Sequence, residues 1–203
     1  MASFTAVNGA LQALESFLTR RMPTDFSSGP INARVELLGS ADIADPINGN
    51  VIGLYVHRIE VDPHGRARFF TQQGSGPQTR ARELPVNLHI LLIAAATSAT
   101  IETNLLSWAM IELANESQLD ISHMSEHDES WTEREVLTIT PTEMSNEDLL
   151  RIWDALDRPY TISVPYVLRT IRLRLNEIGS DGPAVTTRVF PTGRATSEGE
   201  VQP

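Results

Sequence analysis

The sequence predicts an α+β domain, a mainly antiparallel sheet of about four to five strands with helices packed on one face. Three observations predict it. Apolar residues recur at helical spacing near the amino end, an apolar run at 85–95 has the length of a buried strand, and the element order is helix, strands, helix, strand, helix, strand. The chain has 203 residues, 41% of them hydrophobic, which suits one domain and some extra. A chain of this length can bury about 70% of its unfolded surface, so it needs no covalent staples.

The elements follow in order. Residues 3–21 read as an amphipathic helix with Val7, Leu11, Leu14 and Leu18 on its stripe and Pro23 after its end. Ile31 to Leu38 alternates like a strand. Val51 to Val61 is a longer strand stopped by Asp62 and Pro63. Residues 62–84 form a polar loop with several glycines and with Arg66, Arg68, Arg80 and Arg82. Pro85 to Ala95 is nearly all apolar, so it should be a central strand buried on both faces.

Ser98 to Asn115 is the second helix, with Ser98 or Thr100 as its cap and a stripe of Ile101, Leu105, Trp108, Ile111 and Leu113. Glu133 to Thr140 is the next strand. Asn146 to Leu156 is a short helix capped by Ser145 with Asp148. Thr161 to Leu175 is the last strand. Its apolar phase runs Ile162, Val164, Tyr166, Leu168 and then shifts to Ile171, Leu173, Leu175, which predicts a bulge near Arg169–Thr170. The folded domain is expected at 1–177 and a tail at 178–203. Within the tail, residues 184–191 have strand propensity. They read either as a strand added to another subunit's sheet edge or as a poorly ordered terminus.

Composition excludes several chemistries. Without cysteine there is no disulfide, thiolate nucleophile or Cys-ligated metal, and without lysine no phosphate-loop lysine or Schiff base. The longest apolar run, Ile90 to Ala96, falls far short of the ~20 residues that span a bilayer. The first nineteen residues carry Glu15 and no basic side chain, which is not the pattern of a targeting segment. The chain thus reads as a soluble protein made in the cytoplasm. The net charge of −10 argues against nucleic acid and anionic membrane as partners. All of that charge is matched by one stretch, Glu112 to Asp148, with eleven acids and one arginine. It reads as a solvated face or as an acidic docking surface. All sixteen basic residues are arginine, which suits bidentate pairing at interfaces but also follows from codon bias.

His123, Glu126 and His127 match the His-x-x-Glu-His pattern of one zinc-protease class, in which two imidazoles hold the metal and the glutamate activates water. The surrounding residues lack the apolar stripe of a helix, so a polar loop is the better reading. His89, in the central strand, is expected to be a hydrogen-bonded core side chain, while His57 and His64 have no partner readable from spacing. Taken alone, the residues define an α+β interaction module.

Four motifs in order resemble a known family. The segment from Asp148 to Tyr160 contains Trp153, Leu156, Pro159 and Tyr160. It leads into a strand with Pro165, Tyr166 and Arg169. This is similar to the end of the N-terminal domain of cap proteins, or tail terminators, of extracellular contractile injection systems. The opening helix, Leu54 to Pro63 and Leu84 to Leu92 agree with the same family, so the resemblance spans residues 3–175. It implies a structural protein, not an enzyme, without cofactor or metal. Such a protein forms a homo-hexameric ring that closes the inner tube and contractile sheath. Its partners are its own copies, the sheath protein and the inner-tube protein, with no nucleic acid and no membrane insertion. It becomes part of the assembled particle. Arg66, Arg68, Arg80 and Arg82 of the loop, and Val185, Thr187, Val189 and Phe190 of the tail, are then the expected contacts. An adaptor or assembly chaperone for tube or sheath subunits is the alternative in the same machinery.

Overall fold

The computed structural model describes residues 4–62, 83–120, 122, 131 and 136–174. Its elements are α1 (Ala6–Arg21), α2 (Thr24–Ser27), β1 (Arg34–Leu38), α3 (Ser40–Ala44), β2 (Val51–Val61), β3 (Glu83–Ala95), α4 (Ala99–Asn115), β4 (Gln118–Leu119), β5 (Leu137–Pro141), α5 (Asn146–Ala155) and β6 (Ser163–Arg174). The class is α+β, as expected. Among the described residues six strands, rather than four or five, form one sheet in the order β1-β2-β3-β6-β5-β4, and of its pairs β1–β2 alone is parallel. The additional strand is β4, two residues long and too short to leave a periodic signal.

β3 is the centre. Leu88, Ile90, Leu92 and Ala94 enter the main core on one face, and Leu91 and Ile93 enter a second cluster on the other. The two long helices, α1 and α4, cover the first face. The second face carries a smaller layer from the shorter helices: Ile43 of α3 and Trp153 of α5 pack on Leu38, Tyr55, Leu91 and Ile93. Helices on one face therefore describe the long pair only.

Two helical stripes sit at a different angle from the one read from large apolar residues. α1 buries Ala6, Gly9, Ala10, Ala13, Leu14, Phe17 and Leu18, leaving Val7 and Leu11 at the margin. Its small residues let the helix axis come close to the sheet. α4 buries Leu105, Leu106, Trp108, Ala109 and Leu113, while Ile111 is 58% exposed. Ser98 is its cap, accepting from the Ile101 amide at 3.4 Å. α5 is capped as expected: Ser145 Oγ accepts from the Asp148 amide at 3.1 Å and donates to the Asp148 carboxylate at 2.7 Å.

The predicted bulge is present. Val86 pairs with Ile171 and Leu88 with Leu168, so Asn87 alone opposes both Arg169 and Thr170. The extra residue keeps Ile171 and Leu173 on the same apolar face as Tyr166 and Leu168. A second shift between Val56 and Arg58 makes His57 the extra residue of β2.

β1 is shorter than the Ile31–Leu38 segment suggested. Its first residues serve as an anchor instead: the Ala33 amide donates to the Phe26 carbonyl at 2.7 Å, and the Ile31 carbonyl accepts from the Asn50 amide side chain at 2.5 Å. Asn50 is buried, and its side-chain oxygen also accepts from the Thr97 amide at 2.9 Å. One side chain thus joins the segment before β1, the start of β2 and the end of β3. Gly53 has a plain steric role, because a Cβ there would collide with the Leu38 side chain.

Two substitutions test this core by urea denaturation. Trp153, 1% exposed, is the largest side chain of the second layer, so Trp153→Ala should cost about 3–5 kcal/mol. Asn50→Ala removes a buried side chain and leaves the Thr97 amide and the Ile31 carbonyl without their partner, and should cost about 1–3 kcal/mol. Losses below about 0.5 kcal/mol, the range of ordinary surface changes, would contradict both placements.

Candidate assembly interface

The structure spreads the Trp153–Arg169 motif over both layers. Trp153 is inside the second layer, where its indole donates to Ser163 Oγ at 3.3 Å and meets the Tyr160 ring edge-on at 6.2 Å. Leu156 packs against that layer, and Pro159 and Tyr160 are exposed beside it. Pro165 pairs with Leu91 across the sheet. Tyr166 is in the main core, where burial pushes its phenol up from 10.0 and keeps it neutral. Arg169 is exposed on the bulge. Trp153, Leu156, Pro165 and Tyr166 thus build the fold, Tyr160 lies against Trp153 at its rim, and Pro159 and Arg169 are exposed.

Arg158, between Trp153 and Pro159, does more than its motif neighbours suggested. Its guanidinium donates to the Ile43 carbonyl at 2.8 Å and to the Asp45 carbonyl at 2.5 Å. It ties the end of α5 to the end of α3 across the sheet corner. A single charged residue beside a proline has no periodic signal, so this long-range clamp was not readable from the sequence.

A groove of about 510 Å³ lies beside β1. Glu15 of α1 stands on one bank; Asp42, Asp45 and Ile47 stand on the other; Glu36 and Leu37 of β1 form the floor. Arg34 crosses it, pairing with Glu36 and donating to the Asn48 carbonyl at 3.0 Å. Asp42 accepts from the Gly39 amide at 2.9 Å and so holds the start of α3. β1 ends the sheet, with β2 as its one neighbour among the described residues.

At the opposite end of the second face, the two bulges bring polar residues together. His89 Nε2 is 3.1 Å from Glu60 Oε2, and Arg58 is 3.2 Å from the other Glu60 oxygen. The expected hydrogen bond of His89 is therefore found, with Glu60 as the partner, but the side chain is 19% exposed and sits at the margin of the core, not inside it. The His57 ring meets the His89 ring edge-on at 5.9 Å. Burial, then the neighbouring His89 and Arg58, push the His57 pKa down to about 4.

The acidic stretch is partly used within the chain. Arg21 pairs with Glu112 at 3.3 Å and with Glu116, and its guanidinium lies 4.6 Å from the centre of the Phe17 ring. These contacts join the ends of α1 and α4. Arg66, Arg68, Arg80, Arg82, His64, His123, Glu126 and His127 lie outside the described residues, as do Val185, Thr187, Val189 and Phe190. Among the described residues, no group of three or more His, Asp or Glu is placed to hold a metal ion, and no helix is long and apolar enough to cross a membrane.

The sheet and its two helical layers define the class, a mixed α+β domain built on one mostly antiparallel sheet. The chain belongs to the Pvc16 N-terminal domain family, whose model matches residues 10–187. Two solved structures share the fold. One is the sheath/tube terminator of an extracellular contractile injection system, PVC, in its extended state: 13% identity, TM-score 0.58, with 94% of this chain and 64% of that one covered. The other is the tube-terminating cap of the anti-feeding prophage: 13% identity, TM-score 0.50, with 94% and 61% covered. This chain therefore spans less than two thirds of either protein's length. No curated protein matches the sequence.

The His57 environment has a measurable consequence. The folded protein keeps His57 neutral down to about pH 4, whereas the unfolded chain takes up that proton near 6.5. Its contribution to stability is complete above pH 6.5 and declines as the pH falls towards 4. His57→Gln should flatten the stability profile in that window. Identical slopes for the two proteins in urea titrations would refute the assignment.

Proposed function

We propose that this chain is the terminator, or cap, of a phage-tail-like contractile injection particle, closing the end of its inner tube and contractile sheath. The family match over residues 10–187 carries the reading, and the likeness of fold to two terminators supports it. Six copies form the ring, and the neighbours are the inner-tube and sheath proteins. The work is structural, with no reaction and no cofactor.

The physical argument is one of valence. A helical polymer presents an unsatisfied interface at its growing end, and any subunit that copies that interface prolongs it. A terminator has to match the end on one side and offer no equivalent on the other. A rigid two-layer sheet suits that task, since its surfaces keep their shape under the load of a contracting sheath. In this reading the arginines of the 62–84 loop and the strand-prone tail supply contacts between subunits. The folded unit is 1–177, so removal of 184–203 leaves a folded domain that binds its partners less well.

Particles made without this protein should appear by electron microscopy with open ends and sheaths of variable length. Normally capped particles would overturn the proposal. Quantitative mass spectrometry of purified particles should find about six copies per particle end, as a six-fold ring requires. Absence from mature particles would instead identify an adaptor or assembly chaperone, released after use.

A further inference from the structure

The edge of β1 combines three properties. It ends the sheet, it faces an open groove, and the groove is lined more by acids than by bases: Glu15, Glu36, Asp42 and Asp45 against Arg34. An edge of this kind pairs with an extended segment, main chain to main chain. The side chains of such a segment alternate between the two banks. β1 itself alternates in the same way: Val35 and Leu37 turn to the main core, and Leu38 to the second cluster.

One segment of this chain fits both banks. In Val185-Thr-Thr-Arg-Val-Phe190, the residues Val185, Thr187 and Val189 share one side, and Thr186, Arg188 and Phe190 share the other. The first set suits Leu37 and the flank of α1. The second brings Arg188 to the bank of Asp42 and Asp45, with Phe190 near Ile47. We infer that the free edge of β1 receives residues 185–190 of a second copy of this chain as an added strand.

Geometry selects a second copy over the same one. Arg174 pairs with Glu83, whereas Leu38, the near end of β1, is reached through Tyr55 and Leu91. That is about 26 Å along β3, and a strand added outside β1 lies about 19 Å across from β6. The ten residues between Arg174 and Val185 include Gly179, Gly182 and Pro183, and they span that diagonal only if almost fully drawn out, at about 3.3 Å per residue. A neighbouring copy carries no such restriction. Donation from each subunit to the next is a head-to-tail contact, and a head-to-tail contact closes into a ring when its rotation allows. The inference leans on the terminator reading only for that ring.

The chain has no cysteine, which makes disulfide trapping direct. Full-length Glu36→Cys and Thr186→Cys proteins, mixed and mildly oxidised, should yield the peptide joining the two positions, about tenfold more than a mixture of Ser107→Cys, on the exposed side of α4, with Thr186→Cys. Equal yields overturn the inference. So does a Glu36→Cys/Thr186→Cys double variant that links within one monomer in preference to between chains. Successive strand residues point their amides to opposite sides, so one of Thr186→Pro and Thr187→Pro must remove a donor facing β1. At least one of these should abolish self-association in sedimentation while the circular dichroism spectrum stays unchanged. If both variants assemble and cap particles normally, the strand exchange is refuted while the terminator reading stands. Normally capped particles in the deletion, with the trapped peptide still formed by the purified protein, would refute the reading instead.

Discussion

β3 is apolar on both sides, and the rest of the molecule is arranged to cover it. A strand with Leu88, Ile90 and Leu92 on one face and Leu91 and Ile93 on the other is stable only between two layers and between two neighbouring strands. β2 and β6 meet the second need along nearly its whole length. The long helices α1 and α4 meet the first on one face. On the other face the chain uses whatever short elements lie near the strand ends, and that is why α3 and α5, each too short to be stable alone, are held by Ile43, Trp153 and the Arg158 clamp. Both layers are consequences of the same strand.

The two bulges follow from the same constraint. β2 and β6 each carry one residue too many for their apolar positions to stay on one face of a regular ladder. Setting that residue outside the pairing, at His57 in β2 and at Arg169–Thr170 in β6, restores the phase. The cost is local. At each bulge the pairing is interrupted, and polar groups gather where the ladder is weakest: His57, His89, Glu60 and Arg58 on one side, Arg169 on the other. The second face is therefore apolar at the end that α3 and α5 cover and polar at the end where the bulges lie.

Much of this was legible because periodicity reports burial. The limits of β2, the cap of α4, the cap and extent of α5 and the β6 bulge all correspond to local patterns, a phase or a hydroxyl three residues before an amide it can bind. What escaped reading was small or distant. The stripe of α1 was placed by its large residues, Val7 and Leu11, although Ala6, Ala10 and Ala13 face the sheet. Alanine has little hydrophobic weight but allows close approach, and only the packing reveals it. Ile111 looked like core by its chemistry and points outward, because Leu106 and Ala109 take the buried side. Asn50 and Arg158 act through partners up to 115 residues away, which no window of sequence contains. The arginine loop, the tail and the His123–His127 pattern lie outside the described residues, and the β1 groove, assembled from α1, β1 and the 42–48 segment, has no linear signature at all.

The open edge of β1 bears most directly on assembly. Natural sheets protect their edges by shortening, charging or covering them, because a bare edge pairs with the next chain it meets. β1 is only five residues long and is bordered by carboxylates, which guards it against indiscriminate pairing. The same carboxylates do not repel every strand. They disfavour acidic or neutral segments relative to one with a cation at the right alternation, so protection and selectivity come from the same groups. The net charge of −10 is matched by the 112–148 stretch, so that stretch is excluded from the edge by repulsion, whereas a short segment with one arginine and no acid, such as 185–190, is not. An edge filtered in this way can remain open in the free protein and be occupied in an assembly, the combination a subunit needs if it is to join a ring only when its neighbour arrives.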